Sequence, residues 1–153
     1  MEYTTGTMGR CIVIRLHEND PVYSSIEKVA ADENIQNGLV FMVGGVKNGG
    51  VVVGPQDQDE RPLKPTVEHF ADAREIAGTG TIFRNEEHTP KLHLHAAIGK
   101  GTSPLVGCPR QGLDCWLITE IVIIELKGFD ARRIRESGGL ELLKIFTSSN
   151  ASA

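Results

Sequence analysis

The sequence has few of the features that mark specialised classes of protein. Aromatic residues make up only 5% of its 153 residues, and there are 3 cysteines, too few and too irregularly spaced for a disulfide framework. No apolar run approaches the roughly 20 residues that a membrane-spanning helix needs. The first ten residues also lack the apolar stretch of a signal peptide. We therefore expect a cytoplasmic protein without a membrane span.

Positive charge is also scarce. Lys and Arg total 16 against 20 Asp and Glu, which gives a formal net charge of -4. Phosphate binding requires a clustered excess of Lys and Arg. The nearest basic cluster is Arg132, Arg133 and Arg135, and such a run is usually a solvated face, although it also offers a surface for an acidic partner. We therefore expect DNA binding by this domain alone to be weak.

What is present is ordinary globular composition, with 40% apolar and 24% charged residues. The length fits one domain, which we place over residues 1–153 with an ordered core of about 9–146. The β-branched run 10–17 predicts a first strand. Asp20 and Pro21 then suit the N-cap and first position of a helix, and Asn37-Gly38 suits its stop and turn. The apolar face of this helix is predicted from four residues at helical spacing: Val22, Ile26, Val29 and Ala30.

Most of the remaining chain predicts strands. The apolar run 39–43 predicts a buried strand, and Gly44-Gly45 predicts a bulge or a close backbone approach. Asn48-Gly49-Gly50 predicts a hairpin turn into a following strand. The strongest strand signal is 116–126, whose two apolar faces both require cover, in part from another subunit. Further strands are predicted at 51–53, 75–83, 91–98, 103–108 and 140–146.

The residues most informative about chemistry are His93 and His95. Side chains at i and i+2 of a strand point to the same face, so the two imidazoles are expected to project together. Neutral imidazole is the commonest metal ligand, but a zinc site needs at least three protein ligands. If 91–98 and 103–108 form a hairpin, Cys108 comes near the pair, and a thiolate beside two imidazoles suits zinc. The sequence therefore predicts a metal site at His93, His95 and Cys108.

Two competing interpretations stay open for these residues. His93 and His95 are alternatively surface or core histidines with hydrogen-bonded ring nitrogens, and Cys108 is alternatively a small buried apolar side chain. Glu120 is a further candidate, because a carboxylate in an otherwise apolar strand needs a partner or water. It would either accept a hydrogen bond from a metal-binding histidine and so orient its ring, or bridge two subunits.

Taken in order, several segments of the chain resemble the PPC family, the plant-and-prokaryote-conserved domain. The resemblance extends over about residues 9–146, and no single segment is diagnostic. It is carried by the opening strand 10–16, the helix after Asp20-Pro21, Gly38 to Val46, Glu75 to Ile82, His93-Leu-His95, Leu105-Val-Gly107, and Thr119 to Leu126 with Glu120.

The resemblance implies an α+β fold, a mixed and largely antiparallel β-sheet domain with one principal helix, usually assembled as a homotrimer. In prokaryotic members it also implies a metal pocket made by the His-x-His pair and a third histidine after Gly-Gly. This chain has Val106-Gly107-Cys108 at that place, so a cysteine replaces the usual histidine. Cysteine remains a competent ligand and makes the site softer.

Three functions are compatible with these observations. The first is a trimeric metal-binding regulatory or interaction module, with a protein partner or a small-molecule ligand. The second is a small zinc-dependent enzyme acting on a small carbonyl compound, since the fold is similar to that of acetolactate decarboxylase. The third is DNA binding, the activity often attached to the family because plant members carry AT-hooks. No Arg-Gly-Arg-Pro segment of that kind occurs here.

Overall fold

The computed structural model describes residues 1–136 and 140–146, so residues 137–139 and 147–153 of the predicted domain lie outside the described part of the chain. The one helix found there has 11 residues and is too short to cross a membrane. In chain order the elements are β1 Thr7–His17, α1 Val22–Asp32, β2 Asn37–Lys47, β3 Gly49–Pro55, β4 Pro65–Phe70, β5 Arg74–Arg84, β6 Pro90–Lys100, β7 Ser103–Gln111, β8 Asp114–Lys127, β9 Ala131–Arg135 and β10 Glu141–Ile145.

Eight of the strands form one sheet in the order β1-β8-β2-β5-β6-β7-β3-β4, and β9 and β10 form a separate two-stranded sheet. Every ladder between the described strands is antiparallel. One parallel element occurs among these residues, an isolated bridge between Asn85 and Arg133. The architecture confirms the predicted α+β class, with a largely antiparallel sheet and one principal helix.

The core lies between helix α1 and one face of the sheet, which we call the inner face. Val22, Ile26 and Ala30 of the helix are fully buried, as the predicted apolar spacing requires. The helix packs on β6, whose Leu94 is also fully buried. Alternation along each strand then sends every second side chain to the opposite, outer face of the sheet. This alternation decides which residues are available for function.

Three local predictions were wrong. Asp20 does not cap the helix, because its carboxylate accepts a hydrogen bond from the backbone N–H of His17 at 2.8 Å and Pro21 is the N-cap residue. Asn37-Gly38 lies inside β2, and the chain turns earlier, at Asn34, where φ is +54°. Residues 48–50 do turn the chain, but β3 pairs with β4 and β7 rather than with β2, so no hairpin forms.

The strands β4 and β9 were not predicted from the sequence, whereas the irregularity in β2 was. β4 and β9 are short and carry several polar or charged residues, which hides the period-two pattern of a strand. In β2 the register shifts between Gly44 and Val46, so the predicted bulge is confirmed. Gly44 has a φ of +137°, which only glycine adopts without strain.

Candidate metal centre

The histidine pair owes its position to the alternation of β6. Leu92, Leu94 and Ala96 are buried on the inner face, so His93 and His95 project from the other side of the strand. Their ring centroids are 5.0 Å apart, and the rings are nearly perpendicular, at 83°. The prediction that both imidazoles share one face is confirmed.

The third predicted ligand, the sulfur of Cys108, is positioned where two strands separate, a place that we call the fork. β6 and β7 form an antiparallel hairpin whose pairing ends at Ala96 and Gly107. Beyond that point β7 turns toward β3, and Cys108 pairs with Val52. Gly107 permits this change of partner, because a Cβ there would lie 2.2 Å from the Val52 carbonyl oxygen.

The fork leaves the backbone of β6 without β7 as a partner, and helix α1 compensates. The N–H of Leu92 donates a hydrogen bond to Glu27 Oε1 of the helix at 2.9 Å. A buried backbone donor without an acceptor is costly, so this contact stabilises the separation of the two strands. The fork is therefore a supported feature of the fold, and Cys108, which is buried, faces into it.

At the fork the three predicted ligands come together. One donor atom from each of His93, His95 and Cys108 lies within 4.8 Å of the other two. Tetrahedral coordination at ordinary Zn–N and Zn–S lengths places two nitrogens and one sulfur about 3.3–3.6 Å apart, so modest side-chain rotation closes the site. Two imidazoles and one thiolate are a donor set that suits zinc, with one coordination position left open.

The electrostatics of the site keep His93 in the form that binds metal. Burial is the largest cause that lowers the pKa of His93, to about 4, and the positive charge of Arg133 and Arg110 and the proximity of His95 act in the same direction. The imidazole is consequently neutral at physiological pH, with a free lone pair. Neutral imidazole is the form in which histidine ligates a metal.

Cys108 has two polar neighbours that sequence analysis did not identify. Arg110 Nε donates a hydrogen bond to the sulfur at 2.9 Å, and the hydroxyl of Tyr23 lies 4.0 Å from it. Burial is the main cause that raises the pKa of Tyr23, so its phenol stays protonated. Arg110 follows Cys108 by two residues in a strand, and that spacing was an available signal for a shared face.

Glu120 is not brought to the histidine pair. It is exposed on the outer face of β8, and the strand order places β2 and β5 between β8 and β6. Three strand spacings amount to about 14 Å, too far for a carboxylate to orient a histidine of the same chain. A role for Glu120 in orienting a histidine is therefore not supported within one chain, while its role at a subunit interface stays a prediction.

The sequence favoured a solvated face for the basic cluster, but Arg133 does not fit this interpretation. Arg132 and Arg135 are exposed, but Arg133 is only 7% exposed, because strand β9 alternates and turns it inward. Its Nη2 donates a hydrogen bond to the hydroxyl of Thr81 at 3.1 Å. Thr81 pairs with His93 across β5 and β6, so Arg133 belongs to the surroundings of the candidate metal centre.

Comparison with known proteins agrees with this fold. Residues 3–127 match the Plants and Prokaryotes Conserved (PCC) domain, and the chain belongs to this family, the one that the sequence resemblance indicated as PPC. No curated protein matches the chain.

Solved structures give the same result. A metal-containing protein of Archaeoglobus fulgidus is 18% identical, with a TM-score of 0.80 over 94% of this chain and 99% of its own. A plant- and prokaryote-conserved protein of Pyrococcus horikoshii is 20% identical, with a TM-score of 0.80 over 96% and 99%. A candidate DNA-binding protein of Ralstonia eutropha JMP134 is 18% identical, with a TM-score of 0.67 over 87% and 90%. At these identities the likeness shows the fold.

Proposed function

We propose that the chain is a metal-binding module of the PCC family that holds one zinc ion through His93, His95 and Cys108. The observation that carries the proposal is the convergence of three donor atoms within 4.8 Å, from two strands that separate at that place. The description of the Archaeoglobus fulgidus relative as metal-containing supports it. A cytoplasmic location, which keeps Cys108 reduced and able to ligate, completes this proposal.

The test is the metal content of protein purified without added metal or chelator. We expect about one zinc per chain, and most of it should be lost when His93 and His95 are both replaced by Ala, because a single remaining thiolate cannot hold the ion. His69→Ala is the matched control, since this histidine lies on β4, outside the cluster. Cys108→His should retain metal and Cys108→Ser should weaken its binding. Full metal content in the double variant would place the site elsewhere.

We propose further that the module is one domain over residues 1–153 and works as a homotrimer. A row of partnered residues runs across the outer face of the sheet: Val13, Val122, Phe41, Thr79 and His95. Val13 is 74% exposed and the neighbouring Val43 is 56% exposed. Exposed apolar side chains on one face of a sheet favour burial in a closed symmetric assembly.

A second candidate function is a small zinc-dependent enzyme acting on a small carbonyl compound. The observation that favours it is a cavity of about 320 Å³ at the fork, lined in part by His93 and Tyr23. Bound zinc with an open position would supply Lewis-acid polarisation of an oxygen atom. Within the chain, the hydroxyl of Tyr23 would orient a ligand beside that position. A turnover screen of zinc-loaded protein against small carbonyl compounds, with the double histidine variant as control, tests this candidate.

A further inference from the structure

The cavity at the fork is strongly cationic. Besides His93 and Tyr23 it is lined by Lys91, Arg110, Arg133 and Arg135, and Glu141 is the one acidic residue among the described residues that line it. Arg135 Nη2 lies 3.5 Å from Glu141 Oε1, so that carboxylate is already engaged. Among the described residues, Lys91, Arg110 and Arg133 have no carboxylate within ion-pair distance.

Arg133 is the informative member of this group. Its guanidinium is held over the ring of Phe83, 6.0 Å from the centroid, and by the hydrogen bond to Thr81. Within the part of the chain that the structure describes, its Nε is buried and has no hydrogen-bond acceptor. A buried arginine without a counter-ion or a full set of acceptors is costly, so its retention requires an explanation.

We propose that the cavity binds a small anion bearing a carboxylate or phosphate group, held by Arg133 and Arg110. A guanidinium offers several N–H donors in one plane, and their spacing matches the oxygens of a carboxylate or a phosphate group. The cavity volume of about 320 Å³ is at the lower end of the range for small-molecule sites. The anion would offset the positive charges of Arg133 and Arg110, whose side chains both line the cavity.

The anion also has a place in the chemistry of the metal centre, a step that rests on the proposed function. His93 lines the same cavity, and Arg110 contacts the sulfur of Cys108. An anionic ligand seated on the arginines is therefore adjacent to the ligands of the open metal position. The ligand class that fits is a small organic acid or phosphate ester with a second oxygen for the metal, which narrows both candidate functions to anionic ligands.

The test is calorimetric titration of inorganic phosphate and of malonate into metal-free and zinc-loaded protein. We expect at least one of the two anions to bind, and the preferred one identifies the head group. Arg133→Gln should weaken its binding at least about tenfold, and Lys91→Gln about threefold, because each removes a cationic donor from the cavity. The matched control is Arg132→Gln, whose side chain is exposed on the other face of β9, and it should change binding less than about twofold.

Arg133→Lys and Lys91→Gln keep the test decisive if Arg133→Gln does not fold. Arg133→Lys should bind the anion more weakly than the wild type but still detectably, because the positive charge stays and the planar set of N–H donors is lost. If neither the metal-free nor the zinc-loaded protein binds phosphate or malonate, the proposal is overturned. It is also overturned if the Arg133 and Lys91 variants bind the anion as tightly as the wild type. Anion binding by protein that takes up no zinc would uphold the cavity and reject the metal centre, so the two failures are distinguishable.

Discussion

The inner and outer faces of the eight-stranded sheet come from the same strands but differ in what covers their side chains. On the inner face, Leu94, Ile121 and Ile123 are fully buried beneath helix α1 and the rest of the core. On the outer face, Val13 and Val43 are exposed, and the histidine pair projects at one side. The inner face accounts for stability, and the outer face carries the groups whose burial or solvation the chain alone does not explain.

This comparison is sharpest at two adjacent positions of β6. Leu94→Ala should lower the free energy of unfolding by about 2–5 kcal/mol, because it opens a cavity in the core. His95→Ala should cost less than about 1 kcal/mol in metal-free protein, because His95 is exposed on the outer face. Denaturant unfolding of both variants at one protein concentration measures the difference. Equal losses would mean that the histidine is part of the packed core.

The second prediction concerns the assembly on the outer face. Val43→Lys should convert the proposed trimer to monomers, since it places a charge among apolar side chains that a neighbouring subunit would cover. Val43 pairs with Glu120 across β2 and β8, so the new lysine is tolerated within one chain. Light scattering should then give a mass of 16.6 kDa in place of about three times that value. Val53→Lys, on β3, is the control that should leave the mass unchanged.

A monomeric wild-type protein at micromolar concentration would contradict the trimer directly. It would leave the proposed metal centre untouched, because all three candidate ligands come from one chain. The exposed apolar residues would then need another partner, and Glu120 would lose its proposed place at an interface between copies.

The third prediction separates a carboxylate at the edge of the core from one on the surface. Hydrogen bonds from the Arg10 side chain and backbone, with the charge of Arg10, lower the pKa of Glu125 to about 2. A depressed carboxyl pKa stabilises the folded state above the unfolded value of 4.5, and this contribution is lost as the pH falls toward 2. Glu125→Gln should therefore lower the Tm at pH 7, and the difference from wild type should shrink between pH 4.5 and 2.

The control for this measurement is Glu75→Gln. Glu75 is exposed on β5 and has no ion pair among the described residues. The Tm of the Glu75→Gln variant should therefore stay close to that of the wild type at every pH. A Glu125→Gln difference that does not change between pH 7 and pH 2 would show that the side chain acts through packing alone.

The smallest expected effect is on DNA. With a net charge of -4 and Arg133 turned inward, the basic cluster offers only Arg132 and Arg135 to a phosphate backbone. We expect a Kd no tighter than about 1 µM at physiological salt, without sequence preference. Arg132→Gln/Arg135→Gln should change it little. A fluorescence titration with nanomolar, sequence-selective binding would contradict the expectation, because such affinity requires contacts to base edges.

The histidine pair and the trace of the main elements were predictable because alternation acts locally. In β6, two histidines among apolar residues at period two define both faces of the strand without any knowledge of its neighbours. The approach of Cys108 required only one hairpin, with a turn at Gly101, where φ is +59°. This part of the site was therefore predictable because His93, His95 and Cys108 are close together in the sequence.

The fork and the cationic cavity were not predictable, because they depend on contacts that are distant along the chain. The partner change of β7 depends on β3, and the acceptor for Leu92 comes from helix α1. The inward turn of Arg133 depends on the pairing of β9 with β10, two short strands whose charges hide their alternation. Sequence patterns report which faces a strand has, but they do not report what lies against each face.

Zinc binding by His93, His95 and Cys108 is tested most directly by an anomalous difference map at the zinc absorption edge, from crystals of untreated or zinc-soaked protein. We expect one peak per chain at the fork, within about 2.0–2.3 Å of one nitrogen from each of His93 and His95 and of the sulfur of Cys108, with a fourth ligand facing the cationic cavity. A map without a peak beside these side chains, in both kinds of crystal, would contradict it, and the histidines would then be a hydrogen-bonded pair without a metal.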